Sequence, residues 1–319
     1  MHNNNELRFK NLSEAGAGWC HRWQSAAVLR VGGEDALAFL QGQFSQDLRL
    51  GGGTAGAGRA VYGLWLTHKG RVLADSFALV AGPTEVWLVS YFSTAADIGA
   101  HLEKHIVADD VTIEDHTAEW GGLALGGNDA AAWLRANIGV EPPGVGGFAR
   151  TDGGGLVFRG RRGADESWEW LAPAGALPAC DPSPAIAASE RERMRLAAGV
   201  PAVPTDIGPG DLPHEGGLDA AAVSYTKGCF VGQEVMARLR TGTIRRQLVR
   251  VRGAGEPPPC GAALFQGVKK VGELRSTCAD GPDGWLGLGL FTLLHLDTAA
   301  PLASAPEAKP EIRLSGDTP

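Results

Sequence analysis

One short segment of this chain gathers the side chains best suited to chemistry. The segment Ser224–Arg238 reads SYTKGCFVGQEVMAR. Cys229 follows Gly228 and stands three positions before Gly232, and glycines permit backbone turns that other residues resist. The positive charge of Lys227 can lower the pKa of the Cys229 thiol, which would make it a thiolate nucleophile or a metal ligand. The segment therefore predicts a functional loop, and a structural turn is the alternative.

Polar and basic residues after the cysteine indicate a binding surface. Gln233 and Glu234 supply amide and carboxylate acceptors, which suit an aromatic heterocycle that bears N–H donors, such as a pterin. From Lys227 to Arg252 the chain carries seven Lys or Arg residues and one Glu, in a protein whose net charge is −7. This basic segment predicts either a solvated strand or a cradle for an anionic ligand tail or an acidic partner, tRNA included.

Two other spacings resemble known motifs more weakly. Gly51, Gly53 and Gly56 satisfy G-x-G-x-x-G, but a helical pattern precedes them and a strand pattern follows, the reverse of a dinucleotide site. We therefore expect a loop there. His101 and His105 stand four apart on a predicted helix, a spacing that can hold a metal, although the same pair also fits a polar helix boundary.

The cysteines form no recognisable ligand set. No two of them make C-x-x-C, their number is odd and their spacing is irregular, which speaks against a disulfide framework and against zinc or iron–sulfur motifs. We predict that Cys229 is the one cysteine that function requires. The five cysteines are Cys20, Cys180, Cys229, Cys260 and Cys278.

Composition sets the broad class of the protein. The length of 319 residues suits about two domains, and 44% apolar with 20% charged residues allows a real core. The net charge of −7 speaks against a dedicated duplex-binding protein. The N-terminus is polar without the apolar stretch of a secretory signal, and no apolar run reaches about 18 residues, so we expect a cytoplasmic protein without a membrane span.

Short secondary-structure elements must position these residues. A helix is predicted over 184–198, with Ser183 as its N-cap, and residues 1–25 are expected to form a loosely held arm. Short strand patterns with Gly and Pro turns between them predict a small barrel over 241–319. Among the strands predicted before the helix are 59–66, 72–80 and 86–90.

These motifs together resemble a known family. KGCFVGQE is similar to the signature K-G-C-[YF]-x-G-Q-E of the YgfZ-type folate-binding proteins, which are relatives of the glycine-cleavage aminomethyltransferase, or T-protein. Four other stretches agree with the family in order and spacing, so the resemblance extends over about 30–275. They are FLQGQFSQDL over 39–48, LTHKGR over 66–71, ERMRLAAGVP over 192–201 and LPHEGGL over 212–218.

The resemblance implies an α+β fold arranged as a three-lobed ring. Two α+β lobes and a small C-terminal antiparallel β-barrel would surround a central channel. Residues 1–240 would form the folate-binding region, with a first lobe of about 26–109 plus 186–240 and a second lobe of about 110–185. The barrel would comprise 241–319.

Tetrahydrofolate in the central channel is the cofactor that the resemblance implies. Ala197 stands where aminomethyltransferases carry the pterin-binding carboxylate of R-L-E-A, so Glu192, Glu215 or Glu234 would have to hold the pterin. The folate tail would lie on arginines of the basic segment, with Arg238, Arg245, Arg246 and Arg250 as candidates. Predicted catalytic residues are Cys229 and Lys227, no metal ligands are predicted, and predicted cofactor-binding residues are Glu192, Arg195, Glu215, Tyr225, Gln233, Glu234 and Arg238.

The implied function is an accessory role in the assembly or maintenance of iron–sulfur proteins, including radical enzymes that modify tRNA. Those proteins or their assembly machinery would be the partners, with a transient tRNA contact. The alternative is a folate-dependent one-carbon (aminomethyl) transferase. Ala74 precedes Asp75 where those enzymes carry paired aspartates, and this favours the accessory role. Because a cluster usually takes about four protein ligands, Cys229 would share one with a partner.

Overall fold

A computed structural model describes residues 18–49, 58–178 and 185–315 of the chain. Within these residues, fifteen β-strands form two antiparallel sheets, and six short α-helices pack against them. The strands are β1 Gly18–Trp23, β2 Ala27–Gly32, β3 Gly58–Leu66, β4 Val72–Gly82, β5 Glu85–Ser90, β6 Thr112–Asp115, β7 Trp120–Gly127, β8 Gly147–Arg150, β9 Leu156–Arg159, β10 Ser167–Pro173, β11 Arg246–Ala254, β12 Ala263–Gln266, β13 Lys269–Ala279, β14 Gly284–Thr292 and β15 Ile312–Leu314. The helices are α1 Ala36–Gln43, α2 Ala95–Glu103, α3 Ala130–Ile138, α4 Ala188–Ala197, α5 Asp219–Ala222 and α6 Gln233–Leu239.

The first sheet has ten strands in the order β1-β7-β10-β9-β8-β3-β4-β5-β2-β6. It consists of two five-stranded halves that meet where β3 pairs with β8 through Gly58 and Arg59. A Cβ at Gly58 would lie 2.0 Å from the ring of Phe148, so only glycine allows the halves to approach this closely. The junction is thus narrow, while the apolar faces on both sides of it are buried.

The strands predicted over 59–66, 72–80 and 86–90 are confirmed as β3, β4 and β5. The prediction of a loosely held arm over residues 1–25 is wrong for its last part, because β1 pairs along its whole length with β7. The side chain of Cys20 on β1 is completely buried, while His21 and Arg22 lie nearer the surface. An edge strand with polar residues on one side gives only a weak apolar signal in the sequence. The strand β6 lies beside β2, in the half that contains most of the predicted first lobe.

The long helix of the sequence analysis begins later than predicted. It starts at Ala188 and still ends before Gly199, whose φ of 68° favours glycine. The residues just before it are held by β1, because Ala185 bridges to Cys20 and the Ile186 amide donates to the Cys20 carbonyl at 2.8 Å. This pairing keeps the segment extended, so the helix cannot begin there. The predicted N-cap and first helical residue, Ser183 and Pro184, lie outside the described residues.

The second sheet contains five strands in the order β12-β13-β14-β11-β15. Its two edge strands are linked through the segment 302–303, since Leu302 bridges to Ile312 and Ala303 bridges to Phe265. The sheet curls around its own apolar core, which includes Trp285. The short strands and the Gly/Pro turns of the C-terminal region are therefore as expected, while a closed barrel and a three-lobed ring stay predictions.

Buried polar contacts fasten the second sheet to the rest of the chain. The Arg246 guanidinium at the start of β11 donates to both carboxylate oxygens of Glu215, at 2.9 and 2.7 Å, and to Asp211 at 3.0 Å. The Ser276 hydroxyl of β13 donates to Asp206 at 2.5 Å. Because these carboxylates are buried, their charges are stable only with such partners. Across the described segments, no helix combines the length and apolar character that a membrane crossing needs.

Candidate functional site

The segment that was predicted to form a functional loop is a loop in the structure, and it holds its cysteine at the surface. We call residues 224–232 the Cys229 loop. Along it, Lys227 and Phe230 are buried while Gly228 and Cys229 between them are exposed. Cys229 is a free cysteine. Buried side chains thus anchor the loop on both sides of Cys229, while the thiol stays accessible to a partner.

Hydrogen bonds to the end of α1 fix the Cys229 loop. The Ser224 amide donates to the carbonyl of Ser45 at 3.0 Å, and the Val231 amide donates to the carbonyl of Gly42 at 3.1 Å. Phe230 packs into an apolar cluster with Leu64 and neighbouring side chains. The loop is therefore joined to the first sheet by backbone and side chain alike, although about 180 residues separate the two segments in the chain.

Lys227 is the central anchor of this loop. Its ammonium donates to three carbonyl oxygens, those of Gln41 at 2.7 Å, Phe44 at 2.6 Å and Gln46 at 3.0 Å. Burial lowers the pKa of Lys227 to about 8, and the nearby Asp47 carboxylate opposes this shift. All three ammonium protons are thus directed to the backbone of 41–46. This geometry supports a positioning role for Lys227, while its predicted effect on the thiol stays a prediction.

Arg49 lies beside the exposed part of the Cys229 loop, and the sequence analysis did not identify it. A Cβ placed on Gly228 would lie 3.9 Å from a guanidinium nitrogen of Arg49. The Arg49 side chain is itself 59% exposed, and its nearest carboxylate, on Asp47, is 3.8 Å away. No spacing in the sequence could indicate this residue, because Arg49 reaches the loop only through the fold. Arg49 therefore lies beside Gly228, the exposed residue that precedes Cys229 in the loop.

Glycine is required at the end of the Cys229 loop. Gly232 has a φ of 85°, and a Cβ there would lie 2.8 Å from the Thr67 carbonyl oxygen. The next turn begins α6, whose Val235 and Met236 press against Gly70 of the β3–β4 hairpin. The two glycines of KGCFVGQE thus play different parts, since Gly228 is exposed beside the thiol and Gly232 sits in a close contact.

The predicted cofactor-binding residues fall in three separate places. Glu192 and Arg195 pair on α4, through contacts of 3.0 and 2.6 Å. Glu215 is paired with Arg246 beneath the second sheet. Glu234 pairs with Arg238 on the exposed face of α6. Each candidate pterin carboxylate is already hydrogen-bonded to an arginine of the protein. Two of these arginines, Arg238 and Arg246, were themselves candidates for binding the folate tail.

The remaining predicted residues support the protein framework. Arg195 also donates to the Val200 carbonyl and to the fully buried Asp206, both at 2.6 Å. The Tyr225 hydroxyl shares a hydrogen bond of 3.0 Å with Nε2 of His214. The backbone N–H of Gln233 closes the Cys229 loop by donating to the Phe230 carbonyl at 3.1 Å.

A small central cavity lies between β3, β4, α4 and the segment after β9. Its residues include Tyr62 and Asp75, together with guanidinium groups from several arginines. Asp75 accepts hydrogen bonds from the hydroxyls of Tyr62 at 2.9 Å, Ser90 at 2.9 Å and Ser93 at 2.8 Å. Burial nevertheless raises the pKa of Asp75. The arginines that line the cavity are Arg161, Arg162, Arg191 and Arg195.

Tetrahydrofolate does not fit this central cavity. Its free volume is about 10 Å³, room for about one water molecule. The Arg161 guanidinium covers the Tyr62 ring at 3.9 Å, and Arg162 is held by two hydrogen bonds to the fully buried Glu169, at 2.7 and 3.0 Å. The Asp75 carboxylate in this cavity is already hydrogen-bonded to three hydroxyls. The side chains that line this cavity leave no room in it for a folate ring.

The histidine pair of the metal hypothesis lies at a packed boundary. The His101 ring is buried 4.8 Å from the His105 ring and 6.0 Å from Trp65, measured between ring centres. His105 Nδ1 lies 2.8 Å from the His101 carbonyl oxygen. Among residues 18–49, 58–178 and 185–315, no three His, Cys, Asp or Glu side chains are grouped to hold a metal ion. The polar-boundary alternative describes this pair best.

The burial of His101 predicts a pH-dependent stability. Desolvation lowers the pKa of His101 to about 4, with repulsion from His105 and Lys104 adding to the shift. The unfolded chain binds the proton of His101 more tightly than the folded chain does. The contribution of neutral His101 to the free energy of unfolding is therefore complete above pH 6.5 and is lost as the pH falls toward 4. We expect the free energy of unfolding to drop by at most about 3 kcal/mol over this range. Urea unfolding of wild type and His101→Phe at several pH values checks this, and an equally steep loss in the variant would contradict it.

Comparison with known proteins places the chain among relatives of two kinds. Residues 23–141 match the GCVT N-terminal domain. The chain is 30% identical over 289 residues to "Iron-sulfur cluster assembly factor IBA57, mitochondrial" of Homo sapiens, and the match covers 82% of this chain and 76% of the relative. It is 28% identical over 236 residues to an aminomethyltransferase of Rubrobacter xylanophilus, with 68% and 60% covered.

A solved structure supports the fold. The glycine cleavage system aminomethyltransferase T from Bartonella henselae superimposes with a TM-score of 0.78 at 20% sequence identity. The superposition covers 98% of this chain and 87% of the other. The mixed α/β, aminomethyltransferase-like fold that the motifs implied is thereby confirmed.

Proposed function

The chain belongs to the family of the iron–sulfur cluster assembly factor IBA57, and from this premise we propose that it is an accessory factor in the assembly or maintenance of iron–sulfur proteins. The observation that supports a direct role is the Cys229 loop. It presents one exposed free thiol on a backbone that is fastened on both sides. A thiolate on such a support is a suitable ligand for iron, because the loop need not become ordered on binding.

The proposed step is a shared ligation of a cluster. Cys229 supplies one thiolate, and a partner protein supplies the remaining ligands, since a cluster usually takes about four protein ligands. In this proposal Arg49 offsets the negative charge that the thiolate and cluster bring to the surface. Lys227 positions the loop from below, through its three carbonyl contacts.

A strain that lacks this protein tests the proposal. We expect the activity of a cluster-dependent enzyme to fall in that strain, while the activity of a cluster-free enzyme in the same extract stays unchanged. Return of the wild-type gene should restore the first activity. Unchanged cluster-dependent activity in the deletion strain would contradict the proposal, provided that no second copy of the gene is present.

The client proteins that we propose include radical enzymes that modify tRNA. Three arginines of the basic segment are exposed and have no carboxylate in ion-pair contact among the described residues, so they are available to an acidic partner, tRNA included; they are Arg240, Arg245 and Arg252. Arg238 is exposed as well but is paired with Glu234. Arg246 and Arg250 are instead engaged within the protein, by Glu215 and by the Ala197 carbonyl. Localisation in the cytoplasm stays a prediction.

Tetrahydrofolate, which the family resemblance implies, does not fit the central cavity, so any tetrahydrofolate that the chain binds would lie outside it. With Arg161 and Arg162 in place there, we expect titration with tetrahydrofolate to change tryptophan fluorescence equally in wild type and in Tyr62→Phe, because Tyr62 lines that cavity. A weaker affinity in folded Tyr62→Phe would contradict this and show that the arginines move aside.

The alternative, a folate-dependent aminomethyltransferase, lacks the required carboxylates. Ala74 and Ala197 occupy two positions where those enzymes carry acidic side chains, and Asp75 is bonded to three hydroxyls. Proton transfer to a bound folate needs a carboxylate within hydrogen-bond reach of it. We expect an assay with aminomethylated carrier protein and tetrahydrofolate to yield no methylene-tetrahydrofolate above background. Product formation that depends on this protein would make the enzyme alternative the better one.

A further inference from the structure

Three cationic side chains converge on the turn that follows α1. The Lys227 ammonium donates to the carbonyl of Gln46 at 3.0 Å. The Arg59 guanidinium, from β3, donates to the carbonyl of the next residue, Asp47, at 3.1 Å. The side chain of Arg49, two positions further along the turn, is 59% exposed. These three cations come from separate segments of the chain, so no sequence motif groups them.

One carboxylate faces these three cations. Asp47 is 5% exposed, and its Oδ1 accepts hydrogen bonds from the Gln41 side-chain amide and from the Arg49 backbone N–H, both at 2.9 Å. In the part of the chain that the structure describes, neither Arg59 nor Lys227 has a carboxylate in ion-pair contact. Burial lowers the pKa of Arg59, and the Asp47 carboxylate opposes this shift only in part. The group thus carries more positive than negative charge, in a protein whose net charge is −7.

The carboxylates on neighbouring elements face other groups. Asp219 of α5 lies 3.7 Å from the His214 ring, and Glu234 of α6 is paired with Arg238. The turn of the β3–β4 hairpin, residues 67–71, reads THKGR and carries no acidic residue. The face of the protein that presents the Cys229 loop is therefore positive.

We propose that this face docks an acidic surface of the protein that shares a cluster with Cys229, and that exposed Arg49 and half-buried Arg59 bind carboxylates of that partner. The inference rests on the proposed function, because the partner is the protein that supplies the remaining cluster ligands. A guanidinium can bind a carboxylate through two parallel hydrogen bonds, which fixes the orientation of the partner. Attraction between the two surfaces also guides their encounter.

A protein fits this face better than a nucleic acid does. The cluster needs ligands that side chains supply, mostly cysteine thiolates. A nucleic acid would instead bring a long row of phosphates to a chain whose net charge is −7. Two arginines beside one thiol match a few carboxylates next to a cluster ligand.

Paired labelling with charged reagents measures the positive potential at Cys229. The anion 2-sulfonatoethyl methanethiosulfonate and the cation 2-(trimethylammonio)ethyl methanethiosulfonate attack the same thiolate, so the ratio of their rates reports the surrounding charge and not the ionisation of the thiol. We expect the ratio of the anionic to the cationic rate to be higher at Cys229 than at Cys260, which is also free and exposed. Peptide mass spectrometry separates the two sites.

Three variants make the labelling test specific. Arg49→Gln and Arg59→Gln should each lower the ratio at Cys229 by about threefold, because one nearby positive charge is removed. Arg313→Gln is the matched control, since Arg313 is an exposed arginine of β15, at the edge of the second sheet. An unchanged ratio in either Arg49→Gln or Arg59→Gln, or an equal fall in Arg313→Gln, would overturn the proposal. Urea unfolding of each variant confirms that it is folded.

Poly-L-glutamate serves as the acidic polypeptide in a protection experiment. At low salt it should slow the labelling of Cys229 by uncharged N-ethylmaleimide in wild type, and should do so less in Arg49→Gln and Arg59→Gln; added salt should abolish the protection. Absence of protection in wild type would overturn the proposal. Stronger protection by tRNA than by poly-L-glutamate, at equal concentration of negative charge, would overturn it as well and assign the face to a nucleic acid.

The docking proposal and the cluster proposal can fail separately. Full activity of a cluster-dependent enzyme with folded Cys229→Ser contradicts the shared ligation, whatever the labelling shows. If Cys229→Ser is inactive while the folded double variant Arg49→Glu/Arg59→Glu sustains full activity, the docking proposal alone is overturned. We expect the double variant to be impaired, because two repulsive charges then face the acidic partner.

Discussion

Cys229→Ser should abolish the ability of this protein to sustain a cluster-dependent enzyme in a strain that lacks the wild-type chain. The hydroxyl of serine is not ionised near neutral pH and is a poor iron ligand, while its size leaves the loop undisturbed. The exposed position of Cys229 makes a folding defect from this change small, because no buried contact is lost. We expect the activity of the reporter enzyme to fall tenfold or more, because a required cluster ligand is lost.

The chain contains a matched control for this experiment. Cys260 is also free and exposed, but it lies in an irregular segment between β11 and β12 rather than on an anchored loop. Cys260→Ser should behave as wild type. Cys278→Ser should do so as well, because burial raises the pKa of the Cys278 thiol to about 11 and keeps it protonated. If folded Cys229→Ser sustained full activity, or if Cys260→Ser lost as much, the shared-ligand proposal would be wrong.

Lys227→Met should lower the free energy of unfolding by about 2–4 kcal/mol. The ammonium donates to the carbonyls of Gln41, Phe44 and Gln46, and methionine fills a similar volume without any donor. Three backbone acceptors would then be left without this donor, and the link between the Cys229 loop and the end of α1 would be lost. Urea unfolding at pH 7 measures the effect, and Lys269→Met on the exposed start of β13 is the control.

The same variant separates anchoring from activation of the thiol. If Lys227 serves mainly as an anchor, the stability of the chain falls as described, and Cys229 in the folded variant reacts with a thiol reagent at least as fast as in wild type. If Lys227 acts on the thiolate instead, the stability stays near that of wild type and the reaction slows. An unchanged free energy of unfolding would show that water replaces the ammonium at the three carbonyls, contrary to the anchoring role.

The pairing of the candidate carboxylates shows where the sequence analysis reached its limit. Glu192 and Arg195 stand three apart on one helix, so their contact follows from helical spacing. Glu215 and Arg246 are far apart in the chain, and their contact exists only because the start of β11 lies over the segment 210–215. Motif spacing could indicate that these residues matter, but it could not show that they satisfy one another.

The sequence by itself determined the elements whose cause is local. Short runs of mostly apolar residues, separated by turn residues at 68–70 and 82–83, made β3, β4 and β5 predictable, since such runs are typical of buried strands. The turn residues around Cys229 indicated a functional loop, because glycine alone tolerates conformations such as that of Gly232. The order and spacing of the motifs also implied the aminomethyltransferase-like fold, which needs no knowledge of distant contacts.

Only the tertiary structure decided what surrounds each reactive group. It directed the Lys227 ammonium to the backbone of 41–46, brought Arg49 beside Gly228, and closed the central cavity with arginines. It also held the segment before α4 in an extended pairing with β1, which delayed the start of that helix. Charged side chains are long and bind whichever partner the fold brings within reach. Their roles therefore depend on distances between remote segments, and those distances arise only when the two sheets pack.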